Sequence, residues 1–436
     1  MSAGRIHLPF GREELSFACP PGWNVLAVAE PAAGETIEQP ELACAAALAQ
    51  PLDSEPLRVL ARDKRRVIVV VDDISRPTPV AQFIGPVLTQ LTDAGVPDEA
   101  IAILFAQGVH RAMTAEEASV KLGPAVAARY RWLNHDSLPG AHLVQLGKTT
   151  RRTEVWVNRL VAEADLIVGL GAIEPHIIAS FGGGVKLLVP GVAGRKTIAQ
   201  NHALNTRPET FNSVGLDPAR NPMRADLEEA ATMIKAPMFF VNAVLRPDLT
   251  FARLLAGNPF SVYRHGAAVV SQLYGAPVPG RADVVLTCSH PMNHDFRQSA
   301  KAVTNTVRAL KKGGTLLCFA VCEHGLGDVT VREKPVRFGK RGMRMLARFL
   351  LPLVGRFRFG MQEDDHFITY FTLQTIKNYN VIFYAPTIPR EFTEKMKFLE
   401  IHHDLDRALA AAVAAAPRAD VLVFPHGGVT YPVFPA

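Results

Sequence analysis

Apolar runs alternate with amphipathic stretches through most of this sequence. In Arg66-Val67-Ile68-Val69-Val70-Val71 every residue after the first is apolar, the mark of a strand covered on both faces. The run ends in Asp72-Asp73. Thr78 then offers an N-cap and Pro79 a first helical residue. Val80, Ile84, Val87, Leu88 and Leu91 give the next helix one apolar face, and Gly95 stops it. A second apolar run, 101–105, breaks at Gly108-Val109-His110-Arg111. Thr114-x-x-Glu117 then reads as a capping box for another helix. A third run, 166–170, leads into a loop holding His176, Gly182, Gly183, Gly184 and Lys186. Strand, polar loop and helix, repeated this way, predict a parallel sheet with helices on its faces.

The same reading extends along the chain. Residues 5–30 open with short strands, and an Ala-rich helix falls within 32–56. A short helix at 195–204 carries His202, and another lies near 222–234. Residues 238–245 and 251–255 form a hairpin around Arg246-Pro247-Asp248. A helix at 259–273 ends near Gly275, and Pro277-Val278-Pro279-Gly280 reads as a linker. Beyond it strands are expected at 283–287, 315–321, 381–385 and 420–424. The expected fold class is α/β: two α/β domains with mostly parallel sheets and the active site in the cleft between them. Residues 1–275 form an N-terminal domain and residues 276–436 a C-terminal one, with a C-terminal tail that can pack back on the first. A chain of 436 residues is long enough for both.

Composition changes this picture little. Hydrophobic content of 48% and charged content of 20% are those of a soluble globular protein. A net charge of +6 is small for the length. It makes no case for nucleic acid and suits small anions equally well. The five cysteines are scattered without a C-x-x-C pair, which fits reduced thiols in a cytoplasmic protein. The N-terminus lacks the apolar core of a signal peptide, and no apolar run reaches the ~18 residues of a membrane span. Residues 338–360 mix Lys340, Arg341, Arg344, Arg348, Arg356 and Arg358 with Met343, Leu346, Phe349, Leu350 and Leu353. A solvated helix with one buried stripe is preferred there to a helix lying on a membrane. Homo-oligomerisation is left open.

The candidate chemistry gathers at strand ends. Asp72, Asp73, Arg76, His110, His176 and Lys186 all follow expected parallel strands, at the edge where ligands bind in such sheets. The Gly182–Gly184 run and Lys186 suit a phosphate, since glycines allow close backbone approach and the ammonium adds charge. His110, His176 and His202 lie too far apart for ordinary zinc spacing. Two histidines facing each other across one carbon could instead each handle a proton on one face, as a racemase needs.

Four separated segments carry a resemblance. Asp72-Asp73-Ile74-Ser75-Arg76-Pro77-Thr78-Pro79, Gly108-Val109-His110-Arg111, Glu174-Pro175-His176 through Gly191, and Asn201-His202 resemble the lactate racemase family in order and spacing. His290-Pro291-Met292-Asn293-His294-Asp295-Phe296-Arg297-Gln298-Ser299-Ala300-Lys301 resembles that family's Pro…Gln-x-x-Lys segment. The resemblance implies a nickel-pincer nucleotide covalently attached to Lys186, with His202 as the protein ligand to nickel, and maturation proteins that make the cofactor. It implies His110 and His176 as the catalytic acid and base. It puts Asp72, Asp73, Thr78 and the three glycines near the cofactor, and Arg76, Gln298 and Lys301 on the substrate. The implied reaction is racemisation or epimerisation of a 2-hydroxy acid by reversible hydride transfer through a planar 2-keto acid.

The chain also departs from the family pattern. His290 and Arg297 stand where lactate-specific members tend to carry Tyr, Asn293 where Asp is usual, and His294 where an apolar residue is usual. A substrate larger or more polar than lactate is therefore expected, a sugar acid or a dicarboxylate, with Arg297 among its contacts. Two rival readings are a non-catalytic two-domain binder of a nucleotide or sugar acid, and a metal-dependent hydrolase using the three histidines.

Overall fold

The structure, a computed structural model, describes residues 4–327, 336–357, 361 and 363–435. The chain divides into two compact units. One comprises residues 34–205 and 216–271; the other comprises 1–33, 206–215 and 272–436.

The first unit is built on a six-stranded sheet. Its order is Phe251–Gly257, Met238–Leu245, Leu166–Ala172, Val67–Asp72, Ile101–Ala106, Arg131–Asn134. The first two strands are the expected hairpin and run antiparallel; every other neighbour is parallel. The continuous apolar run at 67–71 has a direct cause. Val67, Val69 and Val71 enter one core, with Phe83, Val87 and Leu91, while Ile68 and Val70 enter another, with Leu188 and Phe240. Side chains alternate across a strand, so a sheet covered on both faces needs both sets apolar. Each such burial contributes roughly 1.5–3 kcal/mol.

Two helix starts test the capping logic. Thr114 and Glu117 form both halves of the capping box at the start of Ala115–Leu122. Thr78 does not cap. Residues Val80–Gln82 form a 3-10 turn, the α-helix is Ile84–Asp93, and the Thr78 hydroxyl turns back to Asp72. The buried carboxylate accepts the hydroxyl's proton in a charge-assisted bond, and with the α-helix starting at Ile84 the N-cap position falls to Phe83.

The second unit holds a six-stranded, all-parallel sheet in the order Glu400–His402, Asn380–Tyr384, Leu310–Phe319, Ala282–Cys288, Ala419–Phe424, Trp23–Val28. Its edge strand comes from the start of the chain. The hairpin Arg5–Phe10/Glu13–Ala18 adds Ile6, Leu8 and Phe17 to the same core. Residues 1–33 therefore pack with this sheet, where the expected boundary at 276 grouped them with the first. At the other terminus Tyr431–Val433 pairs in parallel with Gly275–Pro277 in the second unit. The strand at 400–402, three residues long, is too short to leave a periodic signal.

Helix Lys340–Arg356 buries Ala347, Leu351 and Val354 against Tyr370 and Leu373. It also exposes a second apolar row, Met345, Phe349 and Leu353, so the expectation of one stripe is incomplete. Arg358 and Gly360 lie outside the described residues. Among the described residues no helix is long and apolar enough to cross a membrane. All five cysteines are buried thiols.

Candidate active site

The strand Val67–Asp72 delivers two carboxylates to the carboxyl edge of the first sheet, and they turn to different tasks. Asp72 is buried. Its Oδ1 lies 2.6 Å from Lys121 Nζ and its Oδ2 accepts from Thr78 Oγ1 at 2.5 Å. Lys121 Nζ also donates to Arg76 O (3.1 Å). Burial pushes the Asp72 carboxyl up, against the pull of Lys121. Asp72 and Thr78 thus serve to brace the 72–78 turn. Lys121 had no role in the sequence reading. Its signal was a lysine on the same helical face as the buried Ala118 and Leu122.

Asp73 faces His110. Its Oδ2 accepts from His110 Nδ1 at 2.7 Å, and its Oδ1 accepts from Ser75 N and Ser75 Oγ. Burial raises its carboxyl, but the His110 and Ser75 hydrogen bonds outweigh burial and hold it below the ordinary carboxylate value. An ionised carboxylate only accepts, so His110 carries its neutral-state proton on Nδ1 and its Nε2 is a lone pair. This is the orienting role of the carboxylate in a Ser-His-Asp triad.

His176 has the opposite arrangement. It sits in a two-residue strand, Pro175–His176, paired with Ser180–Phe181. Ile178 N and Ala179 N both approach its Nδ1 at 3.3 Å. Nδ1 is then an acceptor and Nε2 carries the proton. In their neutral forms His110 therefore presents an Nε2 lone pair and His176 an Nε2–H. Arg76 lies beside them, its Nη1 donating to Glu174 Oε1 at 2.6 Å. Burial works against the Arg76 charge, but Glu174, Asp73 and Asp72 more than compensate and raise its pKa.

The glycine loop is packed more than it is open. Gly182 N donates to Glu174 O (2.7 Å) and Gly184 N to Asn242 Oδ1 (3.0 Å). Two of the three amides are thus bonded within the protein. A Cβ on Gly183 would lie 2.6 Å from Ala172 O, and both Gly183 and Gly184 have positive φ. Arg224, buried and stacked 3.2 Å over the Tyr263 ring, donates to Gly183 O. Asn242 and Arg224 come from elements without motif character, and the sequence reading missed both.

Lys186 follows in the turn Gly184–Leu187 and is half-buried. Gly108 N donates to Gly191 O (2.8 Å), tying the His110 loop to the end of the Lys186 loop. His202 lies on helix Arg195–Ala203, whose hold is specific. Thr197 Oγ1 donates to Glu154 O (2.7 Å), and Asn201 Nδ2 donates to Asp226 Oδ2 (2.8 Å). Asn205, just beyond that helix, donates to Ile178 O in the His176 loop. Among the described residues no three His, Cys, Asp or Glu side chains converge as a metal cage. A metal at His202 would have to bring most of its ligands on an organic group. One imidazole held on a braced helix fits that demand.

The second unit carries the remaining candidates. Asp295 caps Phe296–Ser299 by accepting from Gln298 N (2.8 Å). Gln298 and Lys301 are half-buried, and Lys301 Nζ lies 4.0 Å from Met292 Sδ. Arg297 and His294 are exposed. His290 meets His426, a residue not singled out in the sequence.

A model of the lactate racemase N-terminal domain matches residues 10–212. A lactate racemase of Lactiplantibacillus plantarum is 27% identical over 409 residues, which is 90% of this chain and 89% of the relative. A lactate racemase of Thermoanaerobacterium thermosaccharolyticum is 29% identical over 328 residues, 74% of this chain and 75% of the relative. The solved lactate racemase apoprotein from Thermoanaerobacterium thermosaccharolyticum has a TM-score of 0.84 at 24% identity, covering 99% of this chain and 100% of that one. A Thermotoga maritima protein of solved structure has a TM-score of 0.61 at 18% identity, covering 88% and 99%. The α/β architecture is thus that of a known fold, and this chain is an isomerase similar over most of its length to lactate racemases.

Proposed function

We propose that this isomerase inverts the C2 configuration of a 2-hydroxy acid. The observation that carries the reading is the pair of preset imidazoles. His110, oriented by Asp73, offers Nε2 as the base for the hydroxyl proton. His176 hydrogen-bonds the oxygen of the planar keto acid through Nε2–H and, as the imidazolium, delivers the Nε2 proton to it when the hydride returns, leaving a neutral imidazole. Arg76 grips the substrate carboxylate, a task suited to a planar guanidinium. Gln298 and Lys301 add a hydrogen bond and a point charge, and Arg297 reaches a polar tail.

The cofactor in this reading is a nickel-pincer nucleotide attached to Lys186, with His202 as the nickel ligand, installed by maturation proteins. It would supply a reversible acceptor for the C2 hydride. Asp73 lies near it, and the Gly182–Gly184 turn sets the position of Lys186. The substrate is larger or more polar than lactate, because His290, His294 and Arg297 make a poor methyl pocket.

The test is made on protein matured with the cofactor-making proteins. Mass spectrometry should find a covalent adduct on Lys186, and chiral chromatography should find racemisation of at least one 2-hydroxy acid. His110→Ala and His176→Ala should each abolish turnover. Matured protein with no adduct and no turnover would overturn the reading. Retention of full function by both histidine variants would favour a non-catalytic binding protein instead.

A further inference from the structure

His110 projects from a loop of the first unit, residues 107–114, between the strand Ile101–Ala106 and the helix Ala115–Leu122. Its side chain is 36% exposed, so the place of the ring depends on what fixes the loop. On the near side the ties are backbone bonds: Gly108 N donates to Gly191 O (2.8 Å) and His110 N to Gln107 O (2.9 Å). On the far side they are two side-chain amides. Asn134 ends the edge strand Arg131–Asn134, level with Phe105. Its Oδ1 accepts from Met113 N (3.1 Å) and its Nδ2 donates to Met113 O (2.9 Å). Gln107 is buried between them, and its Nε2 donates to Asn134 Oδ1 (2.7 Å) and to Arg111 O (3.1 Å).

These contacts fix the orientation of both amides. Met113 offers one donor and one acceptor, which sets the Asn134 oxygen on the Met113 N side. Gln107 must then turn its N–H₂ toward that oxygen and toward Arg111 O. Its own Oε1 is left buried with no hydrogen-bond partner among the described residues. An unpaired buried acceptor costs stability, and an apolar side chain of similar shape would avoid that cost. Stability is therefore a poor reason for this glutamine. What it does hold is the carbonyl of Arg111, one residue past His110.

We propose that Gln107 and Asn134 are positioning residues, an amide latch that holds the 108–113 loop so that His110 keeps Nδ1 on Asp73 and presents Nε2 as a lone pair. The consequence for turnover rests on the function proposed above; the consequence for the His110 ring does not. The bond from His110 Nδ1 to Asp73 Oδ2 is 2.7 Å long, and a loop displaced by about 1 Å would lose it. Without that acceptor the proton is free to sit on either ring nitrogen. A catalytic group misplaced by about 1 Å can cost on the order of 10²-fold in rate.

The first measurement is made on cofactor-free, full-length protein at alkaline pH, where the ring is neutral. Imidazole ¹⁵N shifts of His110, assigned by their loss in His110→Ala, report its tautomer without any turnover. The native chain should show the Nδ1–H form. Gln107→Met keeps the side-chain length and removes the orphan oxygen; its shifts should move toward a mixture of the two tautomers. Asn134→Asp keeps an acceptor but presents no donor to Met113 O, and should move them the same way. The urea midpoint of Gln107→Met should stay close to that of the native chain. In matured protein kcat of Gln107→Met should fall about 10–100-fold, with KM changing less than about twofold. Native shifts in both variants overturn the latch, and so does a urea midpoint lowered in Gln107→Met as far as in the core variant Val87→Ala, which marks a structural role. Mixed tautomers with an unchanged kcat support the latch and refute the catalytic role of His110, so the two failures are told apart.

Discussion

Asp73 is the residue whose meaning changed most between sequence and structure. Adjacent in sequence to Asp72, it belongs to a different network. One carboxylate braces a turn through Thr78 and Lys121; the other orients a histidine. Asp73→Asn should therefore cost catalysis more than stability. An amide in its place can turn its N–H₂ toward His110 Nδ1, favouring the wrong tautomer. We expect kcat to fall on the order of 10²–10⁴-fold with little change in KM. Steady-state kinetics on matured protein checks this, and a pure KM effect would point to substrate contact instead. His110 and His176 were legible as candidates for an acid–base pair, but not which ring nitrogen each presents. That distinction rests on the partners of Nδ1, a carboxylate in one case and two amides in the other, and such partners lie far away in the chain or follow from a loop's exact turn.

At the scale of elements, the apolar strands were legible because burial on both faces leaves no polar position to obscure the run. The capping box at 114–117 was legible because its two bonds are local. The glycine loop was legible as a special turn, but its purpose was not. Gly184 has φ +59°, and an added Cβ would lie 2.8 Å from Tyr263 Cβ and 3.0 Å from Arg224 Nη2. Gly184→Ala should destabilise the protein by about 2–4 kcal/mol, from left-handed strain and overpacking together. Gly182 meets nothing closer than 3.4 Å, so Gly182→Ala should cost less than about 1 kcal/mol. Urea unfolding of the two variants tests the contrast, and equal losses would refute it. Neither Tyr263 nor Arg224 is near the loop in sequence, so the crowding that demands glycine could not be read there.

At the scale of the whole molecule, the start of the chain completes a sheet made mostly from its second half. Ile6, Leu8, Phe17 and Trp23 are buried in that core. Removing residues 1–33 would delete these side chains, uncover the core residues they pack on, such as Leu286 and Val421, and leave Ala419–Phe424 as a bare edge. At roughly 1.5–3 kcal/mol for each side chain, the loss is comparable to a domain's whole stability. Hydrogen exchange in the truncated chain should accelerate sharply at 284–288 and stay slow at 67–71. Slow exchange at both would show that the N-terminal strands are dispensable.

The sequence by itself determined the α/β class, the positions of most strands and helices, and the cluster of His, Asp, Arg and Lys at strand ends. These follow from local periodicity and from the rule that parallel strands present their loops at one edge. Tertiary structure decided which carboxylate orients His110, why the loop needs its glycines, where the first 33 residues belong, and that His426 stands beside His290. Each of these depends on contacts between residues far apart in the chain, and no single-chain pattern records such contacts.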